Sequence, residues 1–361
     1  MPIEPGRRFC FYPSSGNVSA PPTTGKSSMK KAIKRLIELL VMRAPHSVKL
    51  LLVRAAATDV DFSRRHGRVL ISLFSTPARV TGILGHGTAG TIVSAPNDIT
   101  VHKQYLDNGD FAGETLRRIE AFFTARGETG TYIDIGANIG LTTIPVANKF
   151  PRVRCISFEP GPVNFKNLLI NIKLNCPDRQ IEAHNKAIFK IKSNIELSLS
   201  DSNLGDHRIK TSHSGPTDPR QPARATVGIE AVPLDDFAPG LRTPLAVKID
   251  TQGAEPFVVE GGRHVLSMAE LIIMEWSPYH IRQLGGDPEL ILDFIATTFD
   301  SCEICAAEGG ESEMMSTRDA AAWLRQRFEE EAAADGIYYD LVLTGPLRRP
   351  AEQASSLREG A

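Results

Sequence analysis

One stretch constrains the fold more than any other: Thr131–Thr143, which reads TYIDIGANIGLTT. Tyr132, Ile133 and Ile135 are strand formers around Asp134, after which Gly136, Asn138 and Gly140 fall at every second position and the pattern turns helical. A strand stops there and a helix begins. Glycines at such a junction allow positive φ and close approach of a ligand, while the first turn of the helix offers unpaired N–H groups. This is the plan of a nucleotide-binding turn.

The details of the turn separate two ligand classes. A dinucleotide fingerprint needs G-x-G-x-x-G, but Asn138 stands at the second glycine position and Leu141 follows Gly140, so a pyrophosphate would not find the same bare backbone. D-x-G-x-N-x-G instead resembles the first motif of S-adenosylmethionine-dependent methyltransferases. Downstream, VRCISFEP reads as a second buried strand, and Glu159 at its end lies 23 residues beyond Gly136. A carboxylate at the C-terminal end of that strand can accept both hydroxyls of a ribose diol.

Six segments in order strengthen the resemblance: YIDIGANIG, SFEPGPVNFKNLLINIKLN, NKAIF, VPLDDF, AVKIDTQGAEPFVVEGG and LIIMEWS. Their order and spacing are similar to those of the FkbM family of methyltransferases, over roughly residues 100–345. The resemblance implies a Rossmann-like class I methyltransferase sheet of seven mainly parallel strands, the last antiparallel, in the order 3-2-1-4-5-7-6. It implies S-adenosyl-L-methionine as cofactor, held by Asp134, Gly136, Asn138, Gly140, Glu159 and Ala187. The acceptors it implies are hydroxyls of small molecules and sugars. One departure stands out, because the family's usual KIDVEGAE is here KIDTQGAE, with Gln252 in place of a common glutamate.

PLAVKID reads as an apolar strand ended by Asp250, and a period of two puts Lys248 and Asp250 on one face. A lysine in a central strand needs an acid beside it, with Asp250 and Glu275 as the expected partners. Asp250 is the first choice for catalytic base, Lys248 a tuning group or a structural ion pair, and Glu275 a second candidate. Asp134, Glu159, Asp250 and Glu275 should converge on the rim where open parallel sheets bind ligands. His207 and His280 lie in polar segments and are expected at the solvated surface. No His/Asp/Glu cluster has metal-ligand spacing, so no metal is expected. Cys302 and Cys305 form a C-x-x-C without a second pair, expected as a coincidence on a strand.

The remaining segments divide the chain. Residues 1–28 are rich in Pro, Gly, Ser and Thr and should be disordered, and 29–68 form a basic helical extension with Ile33, Leu36, Ile37 and Leu40 opposite Lys30, Lys31, Lys34 and Arg35. Its packing against the methyltransferase domain is expected, with a membrane-surface contact by residues 29–65 as the alternative. The domain covers 69–345, with its core at 128–345, and 346–361 is a charged tail. Segments RVLISLF, GTIVS and DITVHKQ read as strands. The helix NFKNLLINIKLN should pack Phe165, Leu168, Leu169 and Ile172 inward. Residues 201–208 are a lid or a mobile insertion, and 212–223 a disordered one.

Composition excludes some classes. A net charge of −1, from 41 Lys and Arg against 42 Asp and Glu, argues against general nucleic-acid binding. Five scattered cysteines and no secretory leader point to the cytoplasm. The oligomeric state is left open. Two other function classes stay in play: an NAD(P)-type oxidoreductase on a similar sheet, and a non-catalytic binding module that keeps the fold.

Overall fold

The computed structural model describes residues 83–346, apart from 96, 99, 179–180, 201–202, 212–223, 307–311 and 334. The expectations for 1–28, for the basic extension and its membrane contact, for RVLISLF, for 212–223 and for the tail beyond Pro346 lie outside the described residues.

The elements run in order from a two-stranded sheet, β1 (Ile83–Gly87) and β2 (Gly90–Ser94), through helices α1 (Val101–Asn108) and α2 (Gly113–Thr124) to strand β3 (Thr129–Ile135). Next come α3 (Thr143–Lys149), β4 (Arg152–Phe158), α4 (Pro162–Asn175), β5 (Ile181–His184) and β6 (Ala187–Ile188). Strands β7 (Ser193–Ser198), β8 (Arg208–Lys210) and β9 (Thr226–Val232) follow, then β10 (Leu245–Ile249), α5 (Glu255–Met268), β11 (Leu271–Trp276) and α6 (Pro278–Leu284). The chain closes with α7 (Glu289–Thr298), β12 (Phe299–Ala306), β13 (Ser312–Ser316), α8 (Thr317–Glu331) and β14 (Tyr339–Pro346).

The main sheet has eight strands in the order β13-β12-β14-β11-β10-β3-β4-β5. Without β13 this is the expected order 3-2-1-4-5-7-6, with β14 antiparallel to both β11 and β12. The eighth strand, β13, pairs antiparallel with β12 at the edge. Strands β6, β9, β7 and β8 make a separate four-stranded sheet. The stretch IEAHNKAIF, residues 181–189, holds two strands in different sheets, β5 and β6. It breaks at Asn185, whose amide donates to the carbonyls of Glu159 and Pro160, and β6 leaves to pair with β9.

Alternation along the central strands builds a core on each side of the sheet. Ile133, Ile135, Val247, Ile249, Ile272 and Met274 face one side, with Val258, Leu266 and Phe294 from the helices. Tyr132, Ala246, Leu271 and Ile273 face the other, against Ile119 and Phe123 of α2 and Ile144 of α3. As α2's period demands, Leu116, Ile119, Phe122 and Phe123 are buried. Each such side chain contributes about 1.5–3 kcal/mol on burial. Asp134, Lys248 and Glu275 occupy the alternate positions on this second face.

Two expectations fail for local reasons. DITVHKQ has strand-like composition, yet Val101–Asn108 is helical, because Asp98 caps it: its carboxylate accepts from the backbone N–H of Thr100, Val101 and His102. Helix α4 is also turned from the expected face. It buries Asn164, Asn167, Leu168 and Asn171, while Leu169 and Leu174 are exposed and Phe165 and Ile172 are half-buried. Asn171 goes inward, with Asn175 a turn later, because β2 runs beside the helix with unpaired backbone groups. Asn171 accepts from Val93 N–H at 2.7 Å and donates to the carbonyls of Val93 and Ile139, and Asn175 treats Thr91 the same way, accepting from its N–H and donating to its carbonyl. Side chains four apart on a helix are about 6 Å apart along its axis, close to the roughly 6.8 Å between alternate strand residues. Two amides thus replace a missing strand.

Candidate functional site

The turn after β3 takes the conformation its residues were read for: Gly136, Asn138 and Gly140 all have positive φ, at 82°, 52° and 93°. A Cβ at Gly136 would lie 1.8 Å from the carbonyl oxygen of Asp250, so the backbones of the β3 and β10 turns touch there. At Gly140 a Cβ would meet Leu168 at 2.8 Å, so that glycine admits α4. The loop's freed amides are gathered by Glu159, whose two carboxylate oxygens accept from Asn138 N–H at 2.8 Å and Gly161 N–H at 2.7 Å. Burial pushes the Glu159 carboxyl up to about 7 against the pull of those two donors.

Asp134 does not meet the cavity. It is fully buried, and one oxygen accepts from the hydroxyls of Thr142 at 2.6 Å and Thr143 at 2.7 Å. Its other oxygen lies 3.5 Å from Lys248 Nζ. The parallel register of β3 and β10 sets Lys248 directly beside Asp134, which explains a partner that strand periodicity alone did not name. Lys248 also approaches Asp250 Oδ2 at 3.3 Å and donates to the Gly136 carbonyl at 3.4 Å. Burial works against its charge, but Asp250 and Asp134 outweigh it and hold the ammonium well above its ordinary range.

Asp250 is the exposed end of this chain of contacts, its side chain 41% accessible. Gln252, at φ 57°, donates from Nε2 to Asp250 Oδ1 and to Glu275 Oε2, both at 3.1 Å. Burial drives the Glu275 carboxyl well above the usual range, reinforced by Asp250, Glu255 and Asp340. Asp340 faces Glu275 across the β11–β14 pairing and is itself pushed up to about 6, by burial and then by Asp250. Glu255 is fully buried at the start of α5, accepting from Thr251 N–H and Oγ1 at 2.8 Å each, so it fastens the turn as well as facing the helix dipole.

Glu159, Lys248, Asp250, Gln252, Glu275 and Asp340 border one cavity of about 1240 Å³. Of the residues singled out from sequence, Gly136, Asn138, Glu159, Ala187, Lys248, Asp250 and Glu275 line it, while Asp134 and Gly140 stand behind the wall. His207 and His280 are corrections: both line the cavity rather than the outer surface. His207 Nδ1 accepts from Ser200 N–H at 3.1 Å, which leaves the ring proton on Nε2, and burial lowers its pKa. His280 pairs with Ser277 Oγ at 3.0 Å, and burial together with Arg208 lowers it to about 4. The loop carrying Asn203, Gly205 and Asp206 forms part of the wall, held by two arginines on Asp206, Arg208 at 2.5 Å and Arg224 at 2.6 Å. Asn164 joins it by donating to the Leu204 carbonyl at 2.7 Å. Sequence gave no signal for Asn164, which sits on a helix face that composition would turn to solvent.

Asn138 Oδ1 and Asn164 Oδ1 are buried and lack a hydrogen-bond partner among the described residues. Both residues line the cavity, so its wall holds acceptors that a ligand's N–H or O–H donors would satisfy. Cys302 lies in the core and Cys305 on the cavity side of β12, within 3.6 Å of Arg118. Among the described residues no group of three or more His, Cys, Asp or Glu could hold a metal ion, and no helix is long and apolar enough to cross a membrane.

The chain is similar to known methyltransferases. Methyltransferase 1 of Beauveria bassiana (strain ARSEF 2860) is 25% identical over 142 residues, which are 36% of this chain and 57% of that protein. Methyltransferase sdnD of Sordaria araneosa is 24% identical over 175 residues, 42% of this chain and 68% of its own length. The chain thus spans little more than half of the first relative. Among solved structures, a methyltransferase FkbM from Methylobacillus flagellatus KT aligns at 13% identity and a TM-score of 0.33, covering 81% of this chain and 58% of that one. The family description that fits is the methyltransferase FkbM domain, matched over residues 134–305. Over those residues the chain is similar to the FkbM methyltransferase family.

Proposed function

We propose that the protein is an S-adenosylmethionine-dependent methyltransferase that methylates a hydroxyl of a small molecule or sugar. The observation that carries this reading is the placement of two strand-end carboxylates, Glu159 and Asp250, on one cavity with different surroundings. Glu159 is buried and fixed by backbone amides, as a group that holds a ligand should be. Asp250 is half-exposed and held by Lys248 and Gln252, as a group that meets an incoming acceptor should be.

The residues present fit the cofactor. Glu159 would take the ribose hydroxyls, the turn at Gly136–Asn138 would run along the ligand, and the unpartnered amide oxygens of Asn138 and Asn164 are acceptors for its amino groups. The bound cofactor supplies a methyl group on a sulfonium, already a good electrophile. What remains for the chain is to place the acceptor oxygen and remove its proton. Asp250 takes that proton. Lys248 carries its positive charge next to Asp250 and cannot act as a base while it does so, and Glu275, driven toward its neutral form, is the poorer base of the two carboxyls.

The test uses methyl-labelled S-adenosylmethionine with a panel of hydroxylated metabolites and sugars. Label should appear as an ether in at least one. Asp250→Asn should slow that transfer by about 100-fold or more while its affinity for S-adenosylhomocysteine stays within twofold. Failure to bind either sulfur compound, or tighter binding of a nicotinamide cofactor, would overturn the reading.

A further inference from the structure

We propose that Gln252 is the positioning residue of the acceptor end: its side-chain amide clamps Asp250 and Glu275 from between them and fixes the oxygen that meets the acceptor. The clamp's catalytic value rests on the reading of Asp250 as base, but the clamp itself does not.

Nε2 of Gln252 is 3.1 Å from Asp250 Oδ1 and 3.1 Å from Glu275 Oε2. An amide NH2 has two protons, one for each carboxylate, and no other natural side chain of this length and shape offers two donors without a charge. With Lys248 on Oδ2, Asp250 is then held at both oxygens. The backbone is bent to put the amide there. Gln252 has φ 57°, in the left-handed region that a non-glycine residue adopts only at a cost. The turn is fastened on both sides, by Glu255 on Thr251 and by Gly253, where a Cβ would lie 2.5 Å from the His280 carbonyl oxygen. Strain kept by its surroundings at a cavity wall points to a role for the side chain it delivers.

Gln252 meets Asp250 on the same turn and Glu275 of β11, and the charges acting on Glu275 are nearly all acids: Asp250, Glu255 of α5 and Asp340 of β14. Lys248 of β10 is the cation among them, shared with Asp134 of β3, and His280 of α6 lies behind Gly253. A glutamate at 252 would put a third carboxyl where the amide now donates to two. Like charges that close cannot all ionise, so the trio would retain a proton into the neutral range.

The test compares the full chain with Gln252→Glu and Gln252→Leu. Its first arm is thermal melting across pH 5 to 9. The shared carboxyl of Gln252→Glu has a folded pKa raised above its unfolded value, so its stabilisation is present at low pH and lost as pH rises through the folded pKa. Gln252→Glu should therefore melt close to the parent at the acid end and fall progressively below it toward the alkaline end. A difference that does not change with pH overturns the clamp, whatever reaction the protein performs. The second arm is methyl transfer from labelled S-adenosylmethionine to an acceptor labelled by the parent. Gln252→Leu should lose at least tenfold in kcat with the cofactor KM unchanged, and Gln252→Asn, whose shorter amide still donates, should recover part of it. Parent-like turnover in Gln252→Leu overturns the positioning role, whereas absence of any acceptor for the parent leaves the melting arm to decide the clamp and counts against the methyltransferase reading instead.

Discussion

With Glu159 as the proposed holder of the ribose diol, ligand affinity should depend on pH, and the size of the effect follows from the surroundings of that carboxyl. Buried and raised to about 7, it is ionised only in part near neutrality, although both oxygens accept backbone N–H groups. A ribose diol donates to a carboxylate and so binds the ionised form. The ionised fraction is about 0.9 at pH 8, about 0.1 at pH 6 and about 0.01 at pH 5, because each pH unit below the pKa costs about 1.4 kcal/mol. S-adenosylhomocysteine should therefore bind about tenfold more weakly at pH 6 than at pH 8, and about tenfold more weakly again at pH 5. Stability runs the opposite way. A carboxyl whose folded pKa lies above its unfolded value of roughly 4.3 stabilises fully only at lower pH, so the free chain loses about 3 kcal/mol from this group between pH 4 and well above 7. The assay is isothermal calorimetry over that range with the parent and Glu159→Gln, in buffers matched for ionic strength. Glu159→Gln should bind weakly and without the slope. Parent affinity that stays within twofold from pH 5.5 to 8.5, or a slope that survives in Glu159→Gln, would refute the assignment of this residue to the diol.

Gly136→Ala should destabilise the free protein by several kcal/mol, read by urea unfolding, because the new Cβ would lie 1.8 Å from the Asp250 carbonyl oxygen; loss of ligand affinity without loss of stability would show that the space belongs to ligand alone. Asn171→Leu removes the partner of Val93 N–H and of two carbonyls in a fully buried place, and should cost about 3–5 kcal/mol, whereas Asn175→Ala, nearer solvent, should cost about 1. Equal effects in the two variants would mean that the amides do not hold β2.

The parts of the fold that could be read in the chain are those in which local pattern and environment agree. The strand ending in Gly136, the acids closing the parallel strands and the apolar face of α2 follow from periods of two and 3.6, because each faces a core on the side its pattern predicts. Helix α4 could not be read this way. Its asparagines look like a solvent face, and the reasons to turn inward lie far away in sequence: the unpaired edge of β2, some eighty residues earlier, for Asn171 and Asn175, and the Leu204 carbonyl for Asn164. Strand β13 is a short edge strand of ordinary polar composition, SEMMS, and its pairing with β12 leaves no periodic signature. The cavity divides similarly. Glu159 and Asp250 are marked by position at strand ends, but His207 and His280 enter the wall through loops whose path depends on distant contacts, such as the arginine pair on Asp206. Lys248 was expected beside Asp250 or Glu275, and Asp134 was missed as its partner because register, unlike periodicity, is set between strands.

That register ties the histories of two positions together. Lys248 and Asp134 sit side by side on adjacent parallel strands, Asp134 with no access to solvent and Lys248 with almost none. Removing Lys248 leaves Asp134 as a buried charge with no cation beside it among the described residues, at a cost of about 3–5 kcal/mol, whereas removing Asp134 leaves Lys248 with Asp250; replacing both with apolar residues of similar volume can cost little. Loss of the lysine is thus tolerated only with loss of the aspartate. Across related chains the lysine should be lost together with the aspartate far more often than alone, whereas Asp250, which reaches solvent, can change wherever its chemistry is no longer needed, because Lys248 keeps Asp134 beside it.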